Sequence, residues 1–104
     1  VCYDRNTAVG GNWLFRPDSS HSSVFETTHI ISSKTLSQYH EFPMPAEYPD
    51  YPSHAQLAAY FQSYADHFGV TSRVRFGTEV LRAEPAEGER WSLTVRDTDG
   101  ERTE

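Results

Sequence analysis

Val1-Cys2-Tyr3-Asp4-Arg5-Asn6-Thr7-Ala8-Val9-Gly10-Gly11-Asn12-Trp13 is the stretch on which the fold turns. Residues 1–4 read as the end of a β-strand, an apolar run closed at once by an acid, Asp4. Arg5 to Asn12 then read as a turn-rich connection that carries the pair Gly10-Gly11. Two adjacent glycines let the backbone take positive φ and come close to a ligand or a neighbouring strand. Trp13 beside them offers a large flat face. An acid after a strand is commonplace, as is a glycine turn before a Trp, so the combination carries the weight.

Downstream, the polar, Ser-rich residues 16–24 read as a surface loop, and Phe25 to Tyr39 show weak β character around His29-Ile30-Ile31 and Leu36. Phe42-Pro43-Met44-Pro45 and Tyr48-Pro49-Asp50-Tyr51-Pro52 form a stiff, non-helical connector, because proline fixes φ and biases its predecessor toward extended backbone. The interleaved Phe42, Met44, Tyr48 and Tyr51 suggest that it packs down. Ser53 with Gln56 three residues on makes a capping box. Leu57, Phe61, Tyr64, Ala65 and Phe68 recur at helical spacing, and Gly69 supplies a left-handed stop, so residues 54–68 are expected to be a helix. Strand-like runs follow around Arg73 to Phe76 and Thr78 to Ala83. Pro85 to Glu89 read as a turn, and Trp91, Leu93 and Val95 alternate with polar residues as a half-buried strand. Asp99-Gly100 is a hairpin dipeptide, after which a returning strand should begin. The start on Val1 and the end soon after this turn suggest an internal piece of a longer chain.

The formal charge is -6, from 15 acids and 9 bases, and the bases are scattered apart from Arg73 and Arg75. A nucleic-acid partner is disfavoured, since phosphate binding calls for a basic stripe. No apolar run approaches the ~20 residues of a spanning helix. The one cysteine, Cys2, is expected to be a small core residue, and a reducing cytoplasm is the expected setting. The five histidines are spaced by 8, 11, 14 and 13 residues, without an i, i+4 pair, so no metal site is expected. His54 and His67 read as capping or surface residues.

An acid at a strand end is the arrangement by which dinucleotide-binding folds meet the adenosine ribose hydroxyls. Tyr3-Asp4, Gly10-Gly11-Asn12-Trp13-Leu14-Phe15, Lys34, Phe42-Pro43-Met44-Pro45, Tyr48-Pro49-Asp50-Tyr51-Pro52-Ser53-His54, Tyr60-Phe61, Tyr64-Ala65-Asp66-His67-Phe68, Arg75-Phe76-Gly77-Thr78-Glu79-Val80 and Trp91 occur in that order. Taken together, they resemble the flavin-containing monooxygenases over almost the whole chain.

That resemblance implies an α/β fold: a single partial FAD-binding, Rossmann-like domain over 1–104, with one amphipathic helix and a C-terminal antiparallel β-meander. It lacks the Gly-x-Gly-x-x-Gly turn that cradles the pyrophosphate and the NADPH-binding domain. The implied cofactors are FAD and NADPH. Asp4 matches the ribose-binding acid, Gly10 and Gly11 the glycine turn, and Asn12 and Trp13 the pair that lies against FAD. Ile30, Ile31 and Ser32 fall where relatives often carry a Thr-Asn-Thr-like stretch between flavin and nicotinamide, and Ile31 departs outright from the Asn. The implied chemistry is hydride transfer from NADPH, O₂ addition at flavin C4a, and oxygen transfer to a small-molecule amine or sulfide. The cofactor carries the difficult steps, so no catalytic side chain is expected here. The alternatives are a Baeyer–Villiger-type monooxygenase, a flavoprotein that does not oxygenate, and a non-catalytic interaction module using 42–53.

Overall fold

The computed structural model describes residues 1–16 and 23–104. The chain divides into two compact units, Val1–Ala8 with Gly69–Glu104, and Val9–Phe68. Most of the Ser-rich stretch expected as a loop lies outside the described residues.

In the first unit, β1 (Cys2–Tyr3) pairs in parallel with β2 (Val74–Arg75), placing Cys2 opposite Val74 and Tyr3 opposite Arg75. The backbone beyond the pair continues the stitching. Asp4 N–H donates to the Arg75 carbonyl at 3.0 Å, Gly77 N–H to Asn6 at 2.9 Å and Thr78 N–H to Asp4 at 3.0 Å. Cys2 is exposed, contrary to the core position expected of it. A two-residue strand alternates its side chains across the ladder, and Cys2 falls on the open side.

An antiparallel meander follows: β3 (Glu79–Ala86), β4 (Arg90–Asp97) and β5 (Gly100–Thr103), in that spatial order. Val95 on the central strand is fully buried. The turn expected from Pro85 is shorter than the sequence suggests. Pro85 and Ala86 stay in β3 opposite Trp91 and Arg90, and the chain reverses through Gly88 and Glu89, both at positive φ. β3 is an edge strand, where a missing backbone N–H costs little. The strand expected after Asp99 is β5.

Charged side chains tie the meander to β1 and β2 within this unit. Glu104 accepts from the Tyr3 hydroxyl at 2.7 Å, from Arg75 at 2.6 and 2.8 Å, and from Arg102 Nε at 3.0 Å. Arg102 also meets Asp97 at 2.6 Å.

The second unit is built on a long helix. A one-turn helix precedes it, α1 (Lys34–Ser37); the long one is α2 (His54–His67). The Ser53 hydroxyl accepts from Gln56 N–H and the Gln56 side chain accepts from Ser53 N–H, the capping box expected at this start. Phe68 caps the far end and Gly69 takes φ 65°, the expected stop. The core is Ile30, Met44, Leu57 and Tyr60, with Trp13, Phe42, Tyr48 and Phe61 packed against it. Tyr60 is 2% exposed, whereas Phe68, expected on the apolar face, is 46% exposed and packs one side of its ring on Phe42, Tyr64 and His67. Met44 is buried and Pro52 fully so, but Tyr51 is 54% exposed and does not join the packing expected of it.

Around Leu36 the structure has α1 instead of a strand, and Leu36 itself is exposed. The Lys34 ammonium explains the difference: it donates to the Ala46 and Tyr48 carbonyls at 2.9 and 2.6 Å. Lys34 N–H adds a 2.7 Å bond to Asp50. Those bonds hold the segment against the proline-rich connector, where an extended strand would place the side chain elsewhere. The β character around His29 reduces to one antiparallel bridge, His29 with Ser53.

Candidate functional site

Strand β1 delivers Asp4 to a bend at its end. Its Oδ1 accepts from Asn6 N–H at 2.8 Å, an Asx turn that fixes the carboxylate where the chain leaves the parallel pair. Asp4 therefore sits half-buried at a strand terminus in the first unit.

The other expected site residues lie in the second unit. Gly10 takes φ 134° and Gly11 φ 51°, both in the region that favours glycine. Trp13 N–H donates to Gly10 at 2.9 Å and Leu14 N–H to Gly11 at 3.3 Å, closing a single 3-10 turn over Gly11–Trp13. A Cβ on Gly10 would stand 3.0 Å from Leu14 Cγ, whereas one on Gly11 would meet nothing within 4 Å. The turn leaves Asn12 exposed and lays Trp13 on the core.

Trp13 walls a cavity of about 210 Å³ together with Ile30, Met44, Leu57 and Phe61. Ile31, Ser32 and Ser37 complete the lining, and Ile31 is 100% exposed. The Ser32 and Ser37 hydroxyls are 2.5 Å apart, supplied from either end of the α1 segment. Trp13, Ile31 and Ser32 thus share one cavity, and Gly10, Gly11 and Asn12 form the turn that carries Trp13. Ser37, Met44, Leu57 and Phe61 were not legible as lining residues. The reading of a strand around Leu36 hid Ser37, whose place follows only once one helical turn folds it back toward Ser32.

The lining holds no titratable side chain, so it can bind and orient an apolar group and keep water from it, but cannot move a proton. Among the described residues, no three His, Cys, Asp or Glu side chains gather as metal ligands. His54 opens α2 and is not its cap, which is Ser53. Its Nε2 lies 3.1 Å from the Glu26 carbonyl and its ring leans on Phe15.

Taken unit by unit, each carries groups whose chemistry suits a part of FAD. The open space beside the Gly11 backbone allows close approach of a ligand, the Trp13 indole offers a ring face, and a carboxylate held at a strand end suits ribose hydroxyls.

A parallel strand pair ending on a carboxylate, a glycine turn carrying an indole and an antiparallel meander define a partial Rossmann-like α/β domain of the flavoprotein kind. The chain belongs to the flavin-binding monooxygenase-like family, whose model matches residues 1–103. Membership brings the family's cofactors, FAD and NADPH. Flavin-containing monooxygenase 5 from Homo sapiens is 33% identical over 82 residues, covering 77% of this chain and 15% of the relative. Flavin-containing monooxygenase FMO GS-OX5 from Arabidopsis thaliana is 30% identical over 121 residues, covering 96% of this chain and 26% of the relative. Among solved structures, a flavin-containing monooxygenase from Stenotrophomonas maltophilia superimposes with a TM-score of 0.74 at 28% identity, over 99% of this chain and 27% of that one. An S-allyl-L-cysteine S-oxygenase from Allium sativum reaches a TM-score of 0.85 at 20% identity, over 97% of this chain and 28% of that one. The chain thus spans between about a seventh and about a quarter of the length of these relatives. No helix among the described residues is long and apolar enough to cross a membrane.

Proposed function

We propose that the chain is part of an FAD- and NADPH-dependent monooxygenase that transfers one oxygen atom of O₂ to a soft nitrogen or sulfur of a small molecule, in the N,N-dimethylaniline-type manner. The carrying observation is the Gly10–Trp13 turn, whose two positive-φ glycines set an indole into an apolar cavity in a chain of this family. FAD supplies the redox chemistry when bound, by the C4a route that the resemblance implies. This chain's residues bind and shield. Asp4 accepts from the ribose hydroxyls, Asn12 and Trp13 lie against the cofactor, and the apolar wall keeps water out. Sulfur acceptance has a second support in the S-oxygenase named among the structural neighbours.

The interaction-module alternative is weakened by packing. Phe42, Met44, Tyr48 and Pro52 of the proline-rich segment are turned into the second unit, which leaves Tyr51 as its main exposed aromatic. On its own, without a pyrophosphate cradle, the 104-residue chain is expected to bind FAD weakly and to oxygenate nothing. FAD is titrated into this chain and into a longer one that includes the expected Gly-x-Gly-x-x-Gly turn, following flavin fluorescence and the visible spectrum. Tight binding by the longer chain alone supports the reading, and binding by neither overturns it.

A further inference from the structure

Trp13 packs on a core from which a run of tyrosine rings leads away from the cavity. Its indole packs on the buried cluster that contains Tyr60. Tyr60 and Tyr39 stack with centroids 6.2 Å apart and planes 20° from parallel, and Tyr39 and Tyr64 approach to 4.4 Å. All four rings belong to the second unit.

The phenols along this run differ in what they can do with a proton. The buried Tyr60 hydroxyl donates to the Phe42 carbonyl at 2.6 Å, and a neutral carbonyl cannot take the proton that an oxidised phenol must shed. Tyr64 donates to a carboxylate, Glu41 Oε1, at 2.9 Å. The hydrogen bond to Glu41 raises the Tyr64 pKa, and Glu41 is held low, first by its own backbone hydrogen bond and then by that of Tyr64. At rest the proton stays on the phenol, and loss of an electron from the ring sends it to Glu41.

We infer that this run is a path for oxidising equivalents, carrying them from Trp13 across the Tyr60 ring, which bridges without being oxidised, and by Tyr39 to rest on Tyr64, with Glu41 as the proton acceptor. The oxidant is a one-electron species of the oxygen-radical class. It takes one electron from Trp13, whose indole N–H proton goes to solvent. Trp13 then regains one electron along the path and one proton from solvent. Tyr64 loses one electron and passes its phenolic proton to Glu41, leaving a tyrosyl radical beside a carboxylic acid. The consequence is protection: oxidising equivalents that stray from oxygen chemistry are drawn from the cavity wall to a half-buried tyrosine paired with a carboxylate. Its biological purpose rests on the proposed function, which sets O₂ chemistry among residues that include Trp13. The path itself needs no flavin.

The test is pulse radiolysis with azide radical, which oxidises tryptophan selectively, on the Trp91→Phe variant, where Trp13 is the sole tryptophan. The green indolyl band should decay with first-order kinetics, independent of protein concentration, as the violet tyrosyl band grows. Tyr39→Phe should slow this transfer by an order of magnitude, and Glu41→Gln should slow the tyrosyl rise. Tyr64→Phe should abolish the fast tyrosyl rise. Tyr39 and Tyr64 are not fully buried, so these variants can be compared at unchanged Trp13 emission, the check that the unit is folded. Transfer unaltered in the Tyr39→Phe/Tyr64→Phe double variant, or no intramolecular tyrosyl rise in the parent, overturns the path. Neither outcome bears on FAD binding, which the titration decides separately.

Discussion

The Tyr60 hydroxyl reaches from the middle of α2 to the Phe42 carbonyl oxygen, 2.6 Å away, across eighteen residues of chain. The Tyr60 hydroxyl oxygen in turn accepts from Tyr39 N–H at 2.9 Å. One side chain, 2% exposed, therefore fixes both ends of the turn between Tyr39 and Phe42 to the helix, while its ring fills the core. Tyr60→Phe keeps the ring and leaves both backbone groups without this partner. Losing such bonds costs about 1–3 kcal/mol, and truncation to Ala, which also opens a cavity, about 3–5 kcal/mol. Urea unfolding followed by Trp13 emission in a Trp91→Phe background should show that order, with Tyr60→Phe the milder.

Gly10 and Gly11 should respond differently to the same substitution. Gly10 at φ 134° lies where a side chain is strained, and its Cβ would press on Leu14 Cγ at 3.0 Å. Gly11 at φ 51° lies in the left-handed region with open space around it. Gly10→Ala should cost about 1–3 kcal/mol and Gly11→Ala about 1 kcal/mol, while Gly11→Asn should come close to neutral because Asn visits this region readily. Thermal unfolding of the three variants checks the stability order. In the longer, FAD-binding chain, Gly11→Asn should still weaken the cofactor, because it fills the space beside the backbone.

How much of this was legible depended on the range of the signal. The helix from His54 to His67 was written locally, in Ser53, Gln56 and Gly69, and the structure keeps all three roles. The parallel pairing of Cys2 with Val74 was not, because periodicity says nothing about partners some seventy residues apart. Pro85 misled for another reason. Its penalty depends on whether the strand is an edge, which is a property of the sheet and not of the residue. Trp13 could be named from its turn, but Met44, Leu57 and Phe61 read simply as core, and only packing turns one side of a core into a cavity wall. Lys34 looked like one more surface base until its ammonium was seen to hold two carbonyls of the connector.

The first unit should loosen in acid through Glu104 and Asp97. The Tyr3 hydrogen bond, followed by the Arg75 and Arg102 donors, holds Glu104 below its ordinary 4.5, and the Arg102 bond holds Asp97 below its ordinary 3.8. Folded values below the unfolded ones mean that the stabilisation is whole above the ordinary values. It is then lost as pH falls through the depressed ones. Amide exchange at Leu93 and Glu104, which exchange 2.8 Å backbone bonds, should accelerate through that window after correction for intrinsic exchange. Glu104→Gln should lower protection at neutral pH and flatten the pH dependence. Salt should weaken the parent more than the variant, since these ion pairs are exposed.

Ile31 offers a test of the site that stability cannot confuse. A fully exposed Ile makes no packing contribution for Asn to remove, so Ile31→Asn should change stability by no more than about 0.5 kcal/mol. The side chain nonetheless lines the same cavity as Trp13 and Ser32, at the place where the resemblance implies an Asn between flavin and nicotinamide. In the full-length enzyme, NADPH oxidation and product formation are measured together with a sulfide or tertiary amine as acceptor. If the cavity is where oxygen transfer is guarded, Ile31→Asn should leave FAD content unchanged and raise the share of NADPH consumed that ends in oxygenated product. The remainder, released as hydrogen peroxide, should fall by the same amount. An unchanged share would remove Ile31 from the oxygen-transfer site, while leaving the assignment of Asp4, Asn12 and Trp13 to FAD binding standing on its own test.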